Sequence, residues 1–118
     1  MQLIMLKSKL HMARVTETQL EYHGSLTIDE NLMEAVGLLS HEKILVANVE
    51  NGNRLETYAI PGERGSGMIC LNGATAHKGK QGDRVIIFSF AVMAPEEAKT
   101  YKPVVLCLDD QNRPAEYF

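Results

Sequence analysis

The chain has 118 residues, of which 12 are basic and 15 acidic, and its net charge is −3 at neutral pH. This length predicts a single domain over residues 1–118. The composition lacks the clustered Lys and Arg of a nucleic-acid-binding surface, and no apolar run is long enough to span a bilayer, so neither partner is expected.

The segment 1–7 has no charged stretch before its apolar part and no cleavage-site pattern, so we expect no signal peptide and a cytoplasmic protein. Cys70 and Cys107 lie in apolar, strand-like runs, which predicts buried free thiols in a reducing compartment. No spacing in the chain resembles a metal site.

Short strands separated by strong turns are predicted for the first part of the chain. Residues 6–15 form a strand with Lys9 and His11 projecting to the same side, and residues 18–23 form a second strand. Either Thr27 or Asp29 caps a short helix over residues 30–36, and Gly37 ends it.

A hairpin is predicted in the middle of the chain, because Asn51-Gly52 separates a buried strand, 44–49, from a partner strand, 54–60. In the partner strand Arg54 and Tyr58 share one side and Thr57 lies on the other. The glycine-rich segment 61–67 lacks the Lys and Ser/Thr of a phosphate-binding loop, which argues against nucleotide binding.

Further strands are predicted for the last part. Residues 68–71 form a short strand before small residues that begin a helical turn, and 84–92 is the longest strand, apolar on both faces and therefore central. Residues 95–98 form one helical turn, and 103–108 is the last strand before a short tail. Many short strands with little helix favour a small β-barrel.

The dipeptide Gly24-Ser25 lies just before the predicted helix. Glycine allows backbone conformations closed to other residues, and its carbonyl is unhindered beside the Ser25 hydroxyl. We therefore interpret this peptide bond as the reactive group of the protein.

The chain resembles the bacterial aspartate 1-decarboxylases, a pyruvoyl-dependent family that makes β-alanine, over essentially its whole length. No single motif is specific, but their order and spacing are. The motifs are Lys9-Leu10-His11, Tyr22-His23-Gly24-Ser25, Asn51-Gly52 before Arg54, Thr57-Tyr58-Ala59-Ile60, Glu63-Arg64-Gly65-Ser66, Asn72-Gly73-Ala74, and Gly82-Asp83 before Val85-Ile86-Ile87.

The resemblance implies a mainly β fold, a small six-stranded double-psi β-barrel with short helices, assembled as a homotetramer with active sites between subunits. It implies autocatalytic cleavage between Gly24 and Ser25 into chains of residues 1–24 and 25–118, with Ser25 converted into a covalent pyruvoyl group and no metal. That group forms a Schiff base with L-aspartate and accepts electrons as CO2 leaves. The product, β-alanine, serves pantothenate and hence coenzyme A biosynthesis.

Roles for individual residues follow from the same resemblance. Ser25 and Tyr58 are catalytic, Tyr58 as proton donor. Those expected in self-processing are Gly24, Ser25, Thr57, Asn72 as an oxyanion donor, His11 and Tyr22. Those expected to bind substrate are the cations Lys9 and Arg54, which suit a dicarboxylate, together with Thr57, Gly73, Ala74 and Thr75.

One departure from the family pattern concerns Thr75, since the family commonly has alanine there. If the segment contacts substrate through its backbone, Thr75 changes little. If the pocket needs a small side chain, Thr75 slows substrate entry.

Two other hypotheses remain open. The first is a hydrolase using Ser25 with His11 or His23, although the Gly-x-Ser-x-Gly nucleophile pattern is missing. The second is a non-catalytic barrel, a binding module that never cleaves itself.

Overall fold

The computed structural model describes all residues, Met1–Phe118, and is mainly β with short helices, as predicted. Its elements in chain order are β1 (Leu3–Arg14), β2 (Glu17–Gln19), β3 (Ser25–Asp29), α1 (Glu30–Val36), β4 (Lys43–Asn48), β5 (Arg54–Gly62), β6 (Ile69–Asn72), a 3₁₀-helix (Gly73–Lys78), β7 (Arg84–Met93), α2 (Pro95–Ala98), β8 (Val104–Leu108) and β9 (Pro114–Tyr117).

The strands hydrogen-bond in the order β2-β6-β3-β5-β4-β7-β1-β8-β9, an arrangement consistent with a small barrel. The nine strands exceed the six that were predicted, and six of them have five or more residues. The double-psi topology stays a prediction. β7 pairs with both β1 and β4, which confirms that it is central.

One apolar core of 18 buried residues lies inside the curved sheet. Its most buried members include Leu10, Leu26, Val46 and Leu106, each from a different strand and each with 0% exposure. Removing such side chains from water is the main favourable term in folding. The core thus fixes which face of each strand turns outward.

Helix α1 forms where the sequence predicts it. Asp29, and not Thr27, is the capping residue, because its Oδ1 accepts a hydrogen bond from the Asn31 amide at 2.9 Å. The same carboxylate accepts the amides of Gly65 at 3.0 Å and Gly67 at 2.9 Å. It therefore ties the glycine-rich loop to the helix start, and Gly37 ends the helix.

Three local predictions are wrong. The second strand ends at Gln19, because the chain turns there and the Tyr22 amide donates to the Gln19 carbonyl at 3.1 Å. The segment before the helix, for which only a helix cap was predicted, forms a strand, β3, which pairs with both β5 and β6. The tail forms β9 against β8. A local turn therefore ends the second strand, a hairpin with the preceding strand forms β9, and pairing with distant segments forms β3.

The longest helix, α1, has seven residues, and no helix of the structure is long and apolar enough to cross a membrane.

Candidate active site

Ser25 is the first residue of β3 and is completely buried. Its Oγ donates a hydrogen bond to the His23 carbonyl at 3.3 Å and accepts one from Asn72 Nδ2 at 3.0 Å. The two backbones are also paired, Ser25 with Asn72, in the antiparallel β3–β6 ladder. The hydroxyl of Ser25, the residue that follows Gly24, is therefore held from both sides.

Asn72 is the centre of the hydrogen bonds around Ser25. Its Nδ2 also donates to Thr27 Oγ1 at 2.7 Å, and its Oδ1 accepts from Cys70 Sγ at 3.2 Å. The side chain of Asn72 was predicted to donate to an oxyanion; in this uncleaved chain it donates to the serine hydroxyl oxygen instead. Sequence reasoning missed Thr27, although its position two residues after Ser25 places both on one face of a strand.

The chain passes so close to Gly73 that no other residue fits there. Gly73 has φ of 62°, and a Cβ at this position would lie 2.8 Å from Gly24 Cα, Gly24 N and the Tyr22 carbonyl oxygen. A Cβ on Gly24 itself would meet no atom within 4 Å. Gly73 thus packs closely against one side of Gly24, and the other side of Gly24 is open.

Thr75 directs its side chain toward the same place. Its Oγ1 donates to the Asn72 carbonyl at 2.7 Å and lies 3.4 Å from the Ser25 carbonyl oxygen. Ala74, the preceding residue of the 3₁₀-helix, is exposed. Of the two alternatives left open for Thr75, the structure therefore places its side chain, and not only its backbone, beside Ser25.

We call Ser25, Thr27, Cys70, Asn72 and Thr75 the Ser25 cluster. A groove of about 310 Å³ runs beside it. The groove is lined by Glu17, Gln19, Tyr22, Thr27, Met68, Cys70 and Asn72. Tyr22 is half exposed at its edge, with its ring against that of His23. Small molecules therefore have a route to the Asn72 side of the cluster.

Lys9 and Arg54 meet over one aromatic ring on the outer surface. Lys9 Nζ lies 5.5 Å and Arg54 Cζ 5.8 Å from the centre of the Phe88 ring, which are cation–π distances. Neither cation forms an ion pair, so both charges are available to an anion. We call these three residues the cation cluster. Phe88 was missed, since only the β1–β7 register shows it opposite Lys9.

The two clusters lie apart within one chain. Between β3, which carries Ser25, and β1, which carries Lys9, the sheet contains β5, β4 and β7. At about 4.8 Å per strand this places Lys9 on the order of 20 Å from Ser25 along the sheet, whereas Arg54 begins β5, the strand next to β3. The structure therefore brings Ser25 together with Asn72, Thr75 and Gly73, and Lys9 together with Arg54, and no hydrogen bond or ion pair joins one group to the other.

Comparison with known proteins matches the sequence of the chain to one family. The family model described as aspartate decarboxylase matches residues 1–115. The chain belongs to the aspartate decarboxylase family.

Several members of the aspartate decarboxylase family are similar over most of their length. The aspartate 1-decarboxylase of Lactiplantibacillus plantarum is 59% identical over 92% of this chain and 84% of its own. That of Bacillus velezensis is 57% identical over 92% of this chain and 86% of its own. That of Thermoanaerobacter pseudethanolicus is 55% identical over 97% of both chains.

Two further residues expected to act in an aspartate decarboxylase lie on β5, the strand next to β3. Tyr58 packs its ring against His41, with centroids 5.9 Å apart, and its hydroxyl forms no hydrogen bond within the chain. Thr57 is half-buried opposite Ile44 and also lacks a side-chain hydrogen bond. Their predicted roles remain predictions.

His11 shares a side of β1 with Lys9, as predicted, and its Nδ1 is buried without a hydrogen-bond partner. Burial, and to a smaller extent the charge of Lys9, lower the pKa of His11 below its ordinary value. The ring is therefore neutral at neutral pH. It forms no contact with Ser25, whose only histidine partner is the backbone carbonyl of His23.

The polar groups present fit a cofactor made from the chain itself. Ser25 is buried among hydrogen-bonding groups, and Gly73 packs directly against the Gly24 backbone. No three His, Cys, Asp or Glu side chains lie close enough together to bind a metal ion.

Proposed function

We propose that this protein is an aspartate 1-decarboxylase that cleaves itself between Gly24 and Ser25 and then converts L-aspartate into β-alanine and CO2. The observation that carries the proposal is the buried Ser25 hydroxyl, which directly follows Gly24 and is held by His23 and Asn72 in a member of the aspartate decarboxylase family.

The first step of self-cleavage is an attack by Ser25 Oγ on the Gly24 carbonyl carbon. The carbon–nitrogen bond breaks, the hydroxyl proton goes to the Ser25 nitrogen, and an ester links the two segments. Asn72 contributes by holding Oγ in place, since Nδ2 already contacts it at 3.0 Å. The close approach of Gly73 to Gly24 limits the movement of the acyl group.

In the second step the ester is eliminated. Ser25 loses its α-proton, the Cβ–Oγ bond breaks, and the electron pair stays on Oγ, which becomes part of the Gly24 carboxylate. Asn72 Nδ2 contacts the very oxygen on which this charge develops, so it stabilises the departing group. Water then replaces the amino nitrogen, ammonia leaves, and a pyruvoyl group remains at position 25.

For the decarboxylation, residues of this chain bind and orient the substrate. A pyruvoyl group supplies a ketone that condenses with an amine and accepts the electrons released with CO2. Asn72 and Thr75 would hold that group, because both contact Ser25. The unpaired cations Lys9 and Arg54 suit the two carboxylates of aspartate. Tyr58 returns the proton that replaces the lost carboxylate.

The position of Lys9, four strands from Ser25 in the same chain, supports an assembly in which neighbouring subunits share each site, as in the proposed homotetramer. Next to the cation cluster the outer face of the sheet exposes apolar side chains: Ile4 is 75%, Val92 60% and Phe90 44% exposed. A second copy covering this face would remove them from water and bring Lys9 and Arg54 toward its own Ser25. The proposal extends to pantothenate and coenzyme A biosynthesis in the cytoplasm.

The hydrolase alternative has less support, because no imidazole hydrogen-bonds to Ser25 Oγ. The non-processing alternative is distinguished by intact-mass spectrometry of the purified protein. We expect two fragments, residues 1–24 and 25–118, with the larger one carrying an N-terminal ketone. A full-length mass that persists on warming would contradict the proposal.

The Ser25→Ala variant tests the source of the cofactor. It should fold, remain whole and release no CO2 from aspartate, because it has no hydroxyl to attack Gly24. Ser89→Ala is the matched control, since Ser89 is also buried and its hydroxyl bonds to Ser8 at 2.6 Å, away from Ser25. It should be cleaved and active. Decarboxylation by Ser25→Ala would refute the role of Ser25.

A further inference from the structure

Cys70 is connected to Ser25 through one side chain. It lies on β6 two residues before Asn72, so both side chains emerge from the same face of the strand. Cys70 is 3% exposed and its Sγ donates to Asn72 Oδ1 at 3.2 Å. A continuous series of hydrogen bonds thus runs from the thiol, through the Asn72 amide, to the Ser25 hydroxyl.

The donors and acceptors in this series fix the orientation of the Asn72 amide. Ser25 gives its one hydroxyl hydrogen to the His23 carbonyl, and Asn72 presents its N–H side to Ser25 Oγ and Thr27 Oγ1. Turning the amide by 180° would place an N–H group opposite the Cys70 thiol, which would then have no acceptor. The correct orientation leaves Oδ1 pointing away from Ser25, and the Cys70 thiol is the donor that it meets there.

We propose that Cys70 is a positioning residue for self-cleavage: its thiol holds Asn72 so that Nδ2 faces Ser25 Oγ. This inference rests on the proposed function, in which Asn72 stabilises the oxygen that leaves with Gly24. Cys70 acts through Asn72 and touches neither the scissile bond nor the substrate.

The environment of Cys70 keeps the thiol protonated. Burial, with the charge of Glu17 as the smaller cause, raises the pKa of Cys70 to about 11. A thiolate would only accept hydrogen bonds and would repel Oδ1, whereas the protonated thiol donates throughout the physiological pH range. Pairing of Cys70 with Thr27 on one side and Glu17 on the other fixes its place.

The experiment compares variants with and without a donor at position 70. Precursors purified in the cold are warmed, and the loss of full-length chain is followed by mass spectrometry. Cys70→Ser retains a donor and should cleave at about the wild-type rate. Cys70→Ala and Cys70→Val, the latter of which fills the core without a donor, should cleave about tenfold more slowly, the effect of one lost hydrogen bond in the rate-limiting step.

Cys107→Ala is the matched control, because Cys107 is the other free thiol and lies on β8, outside the Ser25 cluster. It should cleave like wild type. Thermal unfolding of each variant checks that the fold is kept. Having both Ala and Val variants keeps the test decisive if one of them fails to fold.

Two results would overturn the inference: wild-type cleavage rates in the folded Ala or Val variant, or a Ser variant as slow as either. A wild-type precursor that never cleaves would instead remove the proposed function on which the inference rests. A second readout is the ratio of the wild-type rate to the Cys70→Ser rate, which should fall as the pH rises from about 9 to 11, because the Cys70 thiol loses its proton there and the hydroxyl of the Ser variant does not. A constant ratio would contradict a donating role.

Discussion

At the scale of single residues, the hydrogen bonds of Ser25 hold its hydroxyl in place, but none of them comes from a base that could take its proton. Its Oγ contacts the His23 carbonyl and the Asn72 amide, and no ionisable side chain hydrogen-bonds to it. A positioned base typically accelerates a reaction by about 10²–10⁴-fold. We therefore propose that self-cleavage relies on position and on stabilisation of the leaving oxygen, because each chain needs only a single turnover.

His11 gives a prediction about acid stability. Its pKa is lowered in the folded chain, so on acidification below about 6.5 the unfolded chain binds a proton that the folded chain does not. Stability should therefore fall as the pH falls from 7.5 to 5.5. His11→Gln should reduce that pH dependence, measured by urea unfolding in a Ser25→Ala background that keeps the chain whole.

The control for His11→Gln is His77→Gln, because His77 is exposed at the end of the 3₁₀-helix. This variant should show the wild-type pH dependence. Equal slopes for His11→Gln and the parent protein would contradict a buried neutral ring at position 11.

At the scale of elements, the 3₁₀-helix after β6 packs against the Gly24-Ser25 bond. The helix begins at Gly73, directly after Asn72, and contacts Gly24 at its first residue and Ser25 through Thr75. β6 in turn pairs with β3 on one side and with β2 on the other. One strand and one turn of helix therefore set the geometry on both sides of the Gly24-Ser25 bond.

Replacing Gly73 tests this arrangement. Gly73→Ala should prevent or strongly slow self-cleavage, because its Cβ would lie 2.8 Å from Gly24 and push the scissile bond away. The matched control is Gly52→Ala, since Gly52 also has a positive φ, 77°, but a Cβ there meets no atom within 4 Å. Both lose about 1 kcal/mol to backbone strain, and Gly73→Ala should lose more than Gly52→Ala, because only its Cβ displaces a neighbouring segment.

The measurement for the glycine pair is intact mass over time together with thermal unfolding. Only Gly73→Ala should accumulate the uncleaved chain. Normal cleavage of Gly73→Ala, or equal impairment of both variants, would show that contact with Gly24 does not matter.

At the scale of the whole molecule, the outer face of β7 explains why a central strand is apolar on both sides. Val85 and Ile87 point into the core, whereas Phe88, Phe90 and Val92 share the opposite face, where Phe90 and Val92 are 44% and 60% exposed. The strand is central, as predicted, but in one chain its second face has no cover. In the proposed assembly, a second subunit covers these apolar residues and brings its Ser25 toward the cation cluster.

Mixing two inactive variants tests the shared site. Lys9→Ala keeps Ser25 but lacks the cation, and Ser25→Ala keeps the cation but lacks the cofactor precursor. Co-expressed in equal amounts, they should recover about a quarter of wild-type CO2 release, because half of the subunits carry Ser25 and half of those face an intact Lys9. The comparison is with each variant expressed alone.

The control mixture pairs Ser25→Ala with Asn72→Ala. Asn72 contacts Ser25 of its own chain, so no mixed assembly restores both residues to one site. This mixture should gain nothing over its separate components. An equal gain in both mixtures, or no gain in the first, would contradict a site shared between subunits.

Much of the local structure could be predicted because its causes are local. Asp29 and Gly37 bound the helix between them, Asn51-Gly52 turns the β4–β5 hairpin, and the apolar run of β7 makes a central strand. Strand β3 could not be recognised, since its extended conformation depends on pairing with two distant strands. Thr27, Cys70 and Phe88 were missed for the same reason, because each matters through a neighbour in another strand.

The sequence by itself determined the family of the chain, and it predicted the reactive dipeptide and the cations suited to a dicarboxylate. Only the tertiary structure decided what surrounds Ser25. Asn72 lies 47 residues away along the chain and reaches the hydroxyl because β3 and β6 pair in one particular register. Register depends on burying one face of each strand in a shared core, which is a property of the folded sheet and of no single segment.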